Sequence, residues 1–272
     1  MKKVFELTNR YIIVATPLLL FILLVSIYSV FVFHTSEILK LIFGIVLMFL
    51  MFSAFLSGWG NMLKSAISEN NYDEPFKIIK DFAPGVGEFF VPVMGMIAIS
   101  FLISALILTG TYFCGMHFIG DLGISQTALT NAMANQEALK TFLTSLSTEQ
   151  LLKLNMWNIL VLSVMSLLYF LFMLYSPALI LESKNPFKAL YISLKHLFGR
   201  NFFQNFGIYL IIISLHFLIS IISALTSGTT ILSFVISLIN FYFVCCVAIA
   251  IFYYYDKKFL NPHLGNNIDT YI

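Results

Sequence analysis

Titratable and polar side chains inside the apolar runs are where this sequence could do chemistry, and they are few. His216 is the one residue of those runs that can change charge near neutral pH, with Ser214 and Ser220 close to it in the chain. An ionisable group in a membrane span is a functional candidate by default. A proton- or ion-coupled transporter carries more such groups than one histidine. His216 therefore reads first as a neutral hydrogen-bonding group between helices, with a proton relay or ligand as the alternative. Asn158 and Asn240 read in the same way, as polar contacts between spans.

Sulfur chemistry is equally thin. Cys114, Met116 and His117 together could touch a soft metal such as copper, but the remaining histidine at the same side, His34, is distant in sequence. No metal or cofactor is expected. Cys245 and Cys246 are adjacent, a geometry that strains an intramolecular bridge. They read as small buried apolar residues, with palmitoylation the alternative. The zinc-protease H-E-x-x-H, the esterase G-x-S-x-G and the P-loop lysine are absent. Pro84-Gly85-Val86-Gly87-Glu88 precedes an apolar run and reads as a flexible turn. No catalytic residue emerges, and the chain is not expected to be an enzyme.

The elements that must position these groups follow from composition. Of 272 residues, 60% are hydrophobic and 10% charged, with 29 phenylalanines and a mean hydropathy of +0.93. Soluble domains carry about 25% charged residues, so a soluble domain is excluded, as are disorder and a disulfide-stapled module. A net charge of +2 is too small for a nucleic-acid footprint. A helix needs about 20 apolar residues to cross a bilayer, and six runs qualify: 11–33, 41–62, 89–110, 156–181, 202–225 and 230–255. The predicted fold is an all-α polytopic bundle in one integral membrane domain. The first run is too long for a signal peptide and reads as a retained anchor. Pro92, Gly95 and Pro177 interrupt spans three and four and are candidate helix breaks that could line a path.

Orientation follows from the basic residues. With a cytoplasmic N-terminus, twelve of the 15 lysines and arginines fall in inner segments, leaving only Lys40, Lys140 and Lys153 outside. Both termini are predicted cytoplasmic, in a cell (inner or plasma) membrane.

Two inner loops carry structure of their own. In the second, Asn185 suits an N-cap and Pro186 a first helical position. Phe187, Leu190, Leu194, Leu197 and Phe198 then recur at helical spacing, while Lys188, Lys195 and His196 fall off that stripe. This predicts a short interfacial helix with its apolar stripe toward acyl chains. Lys184, Lys188, Lys195 and Arg200 would face anionic headgroups. Packing on the ends of the spans is the alternative. The first loop, 73–82, has Phe76, Ile79 and Phe82 as its apolar side. Both loops begin Pro-Phe-Lys and lead through a glycine to Phe-Phe (Gly87-Glu88-Phe89-Phe90; Gly199-Arg200-Asn201-Phe202-Phe203). Phe101-Leu102-Ile103-Ser104 also matches Phe217-Leu218-Ile219-Ser220. These matches suggest a parallel internal repeat. Outside, the stretch 121–155 is predicted to be a small helical cap. Ser125 caps a helix through Ala128, Leu129, Ala132, Met133, Leu139 and Leu143, and Ser147–Gln150 forms a capping box before span four.

The segment from Asn185 to Phe202, with its Pro186-x-x-Ala189-Leu190-x-x-Ser193 core and Gly199-Arg200-Asn201-Phe202 exit, resembles an element of six-span bacterial membrane proteins. Among them are the membrane domains of glycerophosphoryl diester phosphodiesterases. The resemblance implies a fold and a membrane role. It carries over no catalytic residue, because the chemistry of those relatives lies in a separate soluble barrel. The expected function is therefore non-enzymatic: an integral membrane protein supporting envelope, lipid or secretion functions through membrane lipid and an unknown protein partner. The alternative is a transporter or permease subunit for a small or amphipathic solute.

Overall fold

A computed structural model describes residues 2–32, 38–68, 75–132, 136–226 and 229–262. The described residues are 91% helical and contain no strand. Hydrocarbon offers no hydrogen-bond partner to a backbone, so apolar runs of this length fold into helices that satisfy their own amides. In chain order the helices are α1 Lys2–Arg10, α2 Ala15–Val32, α3 Ile38–Ile67, α4 Phe82–Phe118, α5 Gln126–Ala132 and α6 Gln136–Ser145. They continue with α7 Thr148–Phe172, the single turn α8 Tyr175–Pro177, α9 Pro186–Phe198, α10 Phe202–Thr226 and α11 Thr230–Tyr255. Among the described residues, six segments are long and apolar enough to cross a membrane.

The spans are longer than their apolar runs. α4 begins at Phe82, so Pro84–Glu88 is helix and not the flexible turn expected. The reason is local: Pro84 occupies the first turn, where its missing N–H has no helical partner to lose. Gly85 lets α4 approach α3, since a Cβ there would collide with the Asn61 Cβ. Asn61 reinforces the contact by donating to the Asp81 carbonyl at 2.9 Å.

Of the candidate helix breaks, Pro92 lies inside an uninterrupted α4. The fourth span does break, at Met173–Leu174, one turn ahead of Pro177, whose ring would collide with the carbonyl four residues back. Beyond α8 the helix widens into a π-helical turn, Ala178–Glu182, closed by Ser183 N–H donating to the Ala178 carbonyl five residues back at 3.0 Å. A second π-turn, Asp256–Leu260, follows α11 and is closed in the same way by Asn261 on Asp256 at 2.8 Å.

The two Pro-Phe-Lys loops fold differently. Pro75–Asp81 is a 3₁₀ segment, and α9 is an α-helix. Three residues per turn bury Ile78 and leave Phe76 and Ile79 outward, so of the apolar side expected of this loop only Phe82, whose ring packs on Gly58, is on the packed side. The glycines aligned by the repeat also differ: Gly87 is helical, whereas Gly199 lies beyond the end of α9. Asp73 and Glu74 lie outside the described residues, as do His34, Met133, Ser227 and Gly228.

The chain divides into two compact units, 1–99 with 171–272, and 100–170. In the first unit the buried side chains lie in the segments nearest the basic loops. They include Ser53 to Ile67 of α3, Phe89 to Met96 of α4, Leu174 to Ile180, Asn205 to Ile212 of α10 and Cys245 to Tyr255 of α11. Leu18, Phe55 and Cys245 form a cluster there, extended by Phe21 stacked on Phe55 at 4.5 Å. In the second unit, the Trp157 ring occupies the space a Cβ on Gly115 would need, and its indole N–H donates to the Gly120 carbonyl at 3.1 Å. Gly120 and Gly123 have positive φ, which favours glycine. The box before α7 is reciprocal: Gln150 N–H donates to Ser147 Oγ, and Ser147 N–H to Gln150 Oε1.

Candidate functional site: the seated helix α9

α9 starts as its sequence dictates. Asn185 Oδ1 accepts from the Lys188 N–H at 3.1 Å and Pro186 takes the first turn. The Pro186 ring fits against Gly95 of α4, where a Cβ would lie 2.8 Å from its Cγ. Gly95, a candidate helix break by sequence, instead serves as a notch. The Tyr175 hydroxyl donates to the Pro186 carbonyl at 3.0 Å.

The other end of α9 is held by a side chain from α10. Asn205, fully buried, donates to the carbonyls of His196 and Leu197 at 2.9 and 3.0 Å. These are terminal carbonyls with no partner inside the helix. The Tyr254 hydroxyl in turn donates to Asn205 Oδ1 at 2.8 Å. At Gly199 the chain passes so close to the Lys195 carbonyl that a Cβ would lie 2.6 Å from it.

A third tie holds the flank. Glu182 Oε2 accepts from the Tyr255 hydroxyl at 2.5 Å and lies 3.5 Å from His196 Nε2. The imidazole stacks on Phe259 with centroids 4.2 Å apart and meets Tyr255 edge-on. The two π-turns thus supply both jaws around His196, Glu182 from one and Phe259 from the other. Nearby, Lys184 Nζ pairs with Glu88 at 2.9 Å, and both Lys184 and Lys64 stand 5.5 Å from the buried Phe89 ring.

Seating α9 in this way selects its faces. Ala189, Ser193 and Leu197 are buried, whereas Phe187, Tyr191 and Phe198 are 71%, 68% and 53% exposed. Lys188, Lys195 and Arg200 are exposed as well. The expected apolar stripe is therefore split: Leu197 points inward while Phe187 and Phe198 point outward. The packed face is the small-residue face, because close helix contact in a membrane protein favours Ala and Ser.

No family model, curated protein or solved structure matches the chain.

The intramembrane polar candidates are not brought together with α9. His216, Asn158 and Asn240 are all exposed, and among the described residues none hydrogen-bonds another helix through its side chain. His216 meets only the Phe243 ring, at 6.3 Å. The expectation that they tie spans together is corrected: other side chains make such ties, Trp59, Asn61 and Tyr242 among them, and around α9 they are Tyr175, Glu182, Asn205, Tyr254 and Tyr255. Sequence reasoning passed over these five. The available signals were an acid closing span four, an amide one turn into span five and the Tyr253-Tyr254-Tyr255 run closing span six. Around Cys114 and His117, as elsewhere among the described residues, no group of three His, Cys, Asp or Glu side chains comes together.

Proposed function

We propose that the protein is a non-enzymatic six-span integral membrane protein of the cell (inner or plasma) membrane. Both termini are cytoplasmic, and the protein supports envelope, lipid or secretion functions through lipid and protein partners. α9 and the 75–81 segment lie on the cytoplasmic side in this reading, and α5 and α6 form the external cap. The resemblance to the membrane domains of glycerophosphoryl diester phosphodiesterases agrees with such a role.

The observation that carries the reading is the seating of α9. A polar network near the basic loops is used up in holding a helix in place, and its donors and acceptors point at backbone carbonyls and at one another. The outward side of that helix exposes Phe187, Tyr191, Lys188 and Lys195. Topology is tested by thiol labelling of a chain whose own cysteines are replaced by serine. A cysteine at Asp121 should react with an impermeant reagent from outside, and one at Arg200 only after permeabilisation. The reverse pattern sinks the orientation.

A second reading, a transporter or permease subunit, is favoured by one feature. His216 and Asn240 are exposed at matching levels, each ten residues from its end of the α10–α11 turn at Thr226 and Thr230. In the native host lacking the chain, a His216→Ala/Asn240→Ala variant at normal abundance should restore envelope integrity as well as wild type does. Failure to do so moves the reading to transport.

A further inference from the structure

We propose that the outward face of α9 is an in-plane binding face for anionic phospholipid. The rings of Phe187, Tyr191 and Phe198 enter at headgroup depth, and Lys188 and Lys195 hold the phosphates. This rests on the membrane reading above and names the lipid that the face takes.

At about 100° per residue, these five side chains fall within one arc of about 100° on the helix. Rings and ammonium groups therefore share a side. The helix is not split into an apolar face and an opposed basic one. The opposite side is spent on the bundle through Ala189, Ser193 and Leu197. Among the described residues neither Lys188 nor Lys195 pairs with a carboxylate, whereas Lys184 does.

Water alone would leave three large rings wet, and a neutral apolar partner would strand two charges. The headgroup region of an anionic leaflet meets both demands. The amphipathic ring of Tyr191 favours that layer, the two phenylalanines can dip into the acyl boundary beneath it, and lysines near it gain from its negative potential.

The 75–81 segment repeats the arrangement with different backbone geometry. Ile78 is buried as the anchor, Phe76 and Ile79 face outward, and Lys77 and Lys80 are exposed beside them. Two segments with different helical pitch thus reach the same outward composition, which speaks for a shared environment.

The test uses the full-length chain in nanodiscs with Trp placed at Tyr191 (Tyr191→Trp) and the parental chain as background. Quenching is compared between dibrominated phosphatidylglycerol and dibrominated phosphatidylcholine at equal mole fraction in an otherwise phosphatidylcholine bilayer. The anionic lipid should quench more strongly, by on the order of fivefold in local enrichment at low salt. Lys188→Gln/Lys195→Gln or high salt should bring the ratio to about one, while Lys188→Arg/Lys195→Arg keeps it. Equal quenching by both lipids with the lysines intact overturns the anionic preference. Quenching by neither overturns the lipid face altogether and leaves it to a protein partner. A control Phe217→Trp on span five separates these outcomes from failure of the underlying reading: if brominated lipid does not quench it either, the membrane assignment itself falls.

Discussion

Within α11 the two halves have the same chemistry and opposite fates. From Thr230 to Val244 the helix exposes Ile231, Phe234, Val235, Leu238 and Ile239. From Cys245 onward it buries Cys245, Ile249, Phe252 and Tyr255. α10 repeats the contrast, with Asn205, Tyr209 and Ile212 buried and Leu215, Phe217, Leu218 and Leu225 exposed. Hydrophobicity cannot account for the difference, since lipid tails receive a leucine as readily as another helix does. What separates the halves is shape and hydrogen bonding. The packed half of α10 sets Asn205 against the last carbonyls of α9, and that of α11 brings Tyr254 to Asn205 and Tyr255 to Glu182. The exposed half carries aliphatic and aromatic side chains, and among the described residues His216 and Asn240 make no side-chain hydrogen bond to another helix.

Substitutions paired across that contrast should give unequal costs. The largest is expected at Gly95. Gly95→Leu drives a side chain into Pro186 and should lower stability by about 1–3 kcal/mol or more. Gly110→Leu in the far part of the same helix meets nothing within 4 Å and should cost a few tenths. The midpoint of SDS unfolding from detergent micelles measures both. Equal shifts would mean that Gly95 is no notch.

Next is Asn205→Ala, which strips the caps from His196 and Leu197 and leaves buried carbonyls unpaired, at about 1–3 kcal/mol. Asn240→Ala should be close to silent in the same titration. A large effect at Asn240 would show that the exposed half is covered by something in the membrane.

Tyr255→Phe removes one hydrogen bond to Glu182 while keeping the ring against His196. A loss of about 1 kcal/mol is expected, accompanied by faster proteolysis between Ser183 and Arg200. Unchanged proteolysis would separate Tyr255 from the seating of α9. The smallest effect is Lys184→Gln. Its pair with Glu88 is half exposed, so the change should stay below about 1 kcal/mol and shrink further in salt.

How much of this was legible in the sequence depends on whether a face announces itself by polarity. The six spans did, because length and lack of charge suffice to mark them. So did the start of α9 and the capping box at Ser147, where a single polar side chain meets a known backbone amide. The inward faces of the spans did not: when every side of a helix is apolar, periodicity carries no signal. The faces of α9 are only partly legible, since a stripe of large apolar residues marks hydrophobicity while the packed side follows size, with Ala189 and Ser193 inside and Phe187 outside. His216 drew attention as the one titratable group in a span, yet the histidine that is held between Glu182 and Phe259 is His196, in a loop helix where its type is unremarkable.

The two π-turns make the seat of α9 a matter of counting residues. A π-turn holds one residue more than the α-turn it replaces, so each behaves like a single-residue insertion absorbed without breaking the helix. Removing one residue from 178–182 would let the helix close in ordinary register. Everything downstream would then be rotated by about 100° and drawn back by about 1.5 Å. Glu182 would swing away from Tyr255 and His196, and Pro186 would miss Gly95, although no contact residue had been replaced. Across variants of this chain, insertions and deletions in that stretch should therefore be rarer than substitutions, for a reason that lies in chain length and owes little to which side chains stand there.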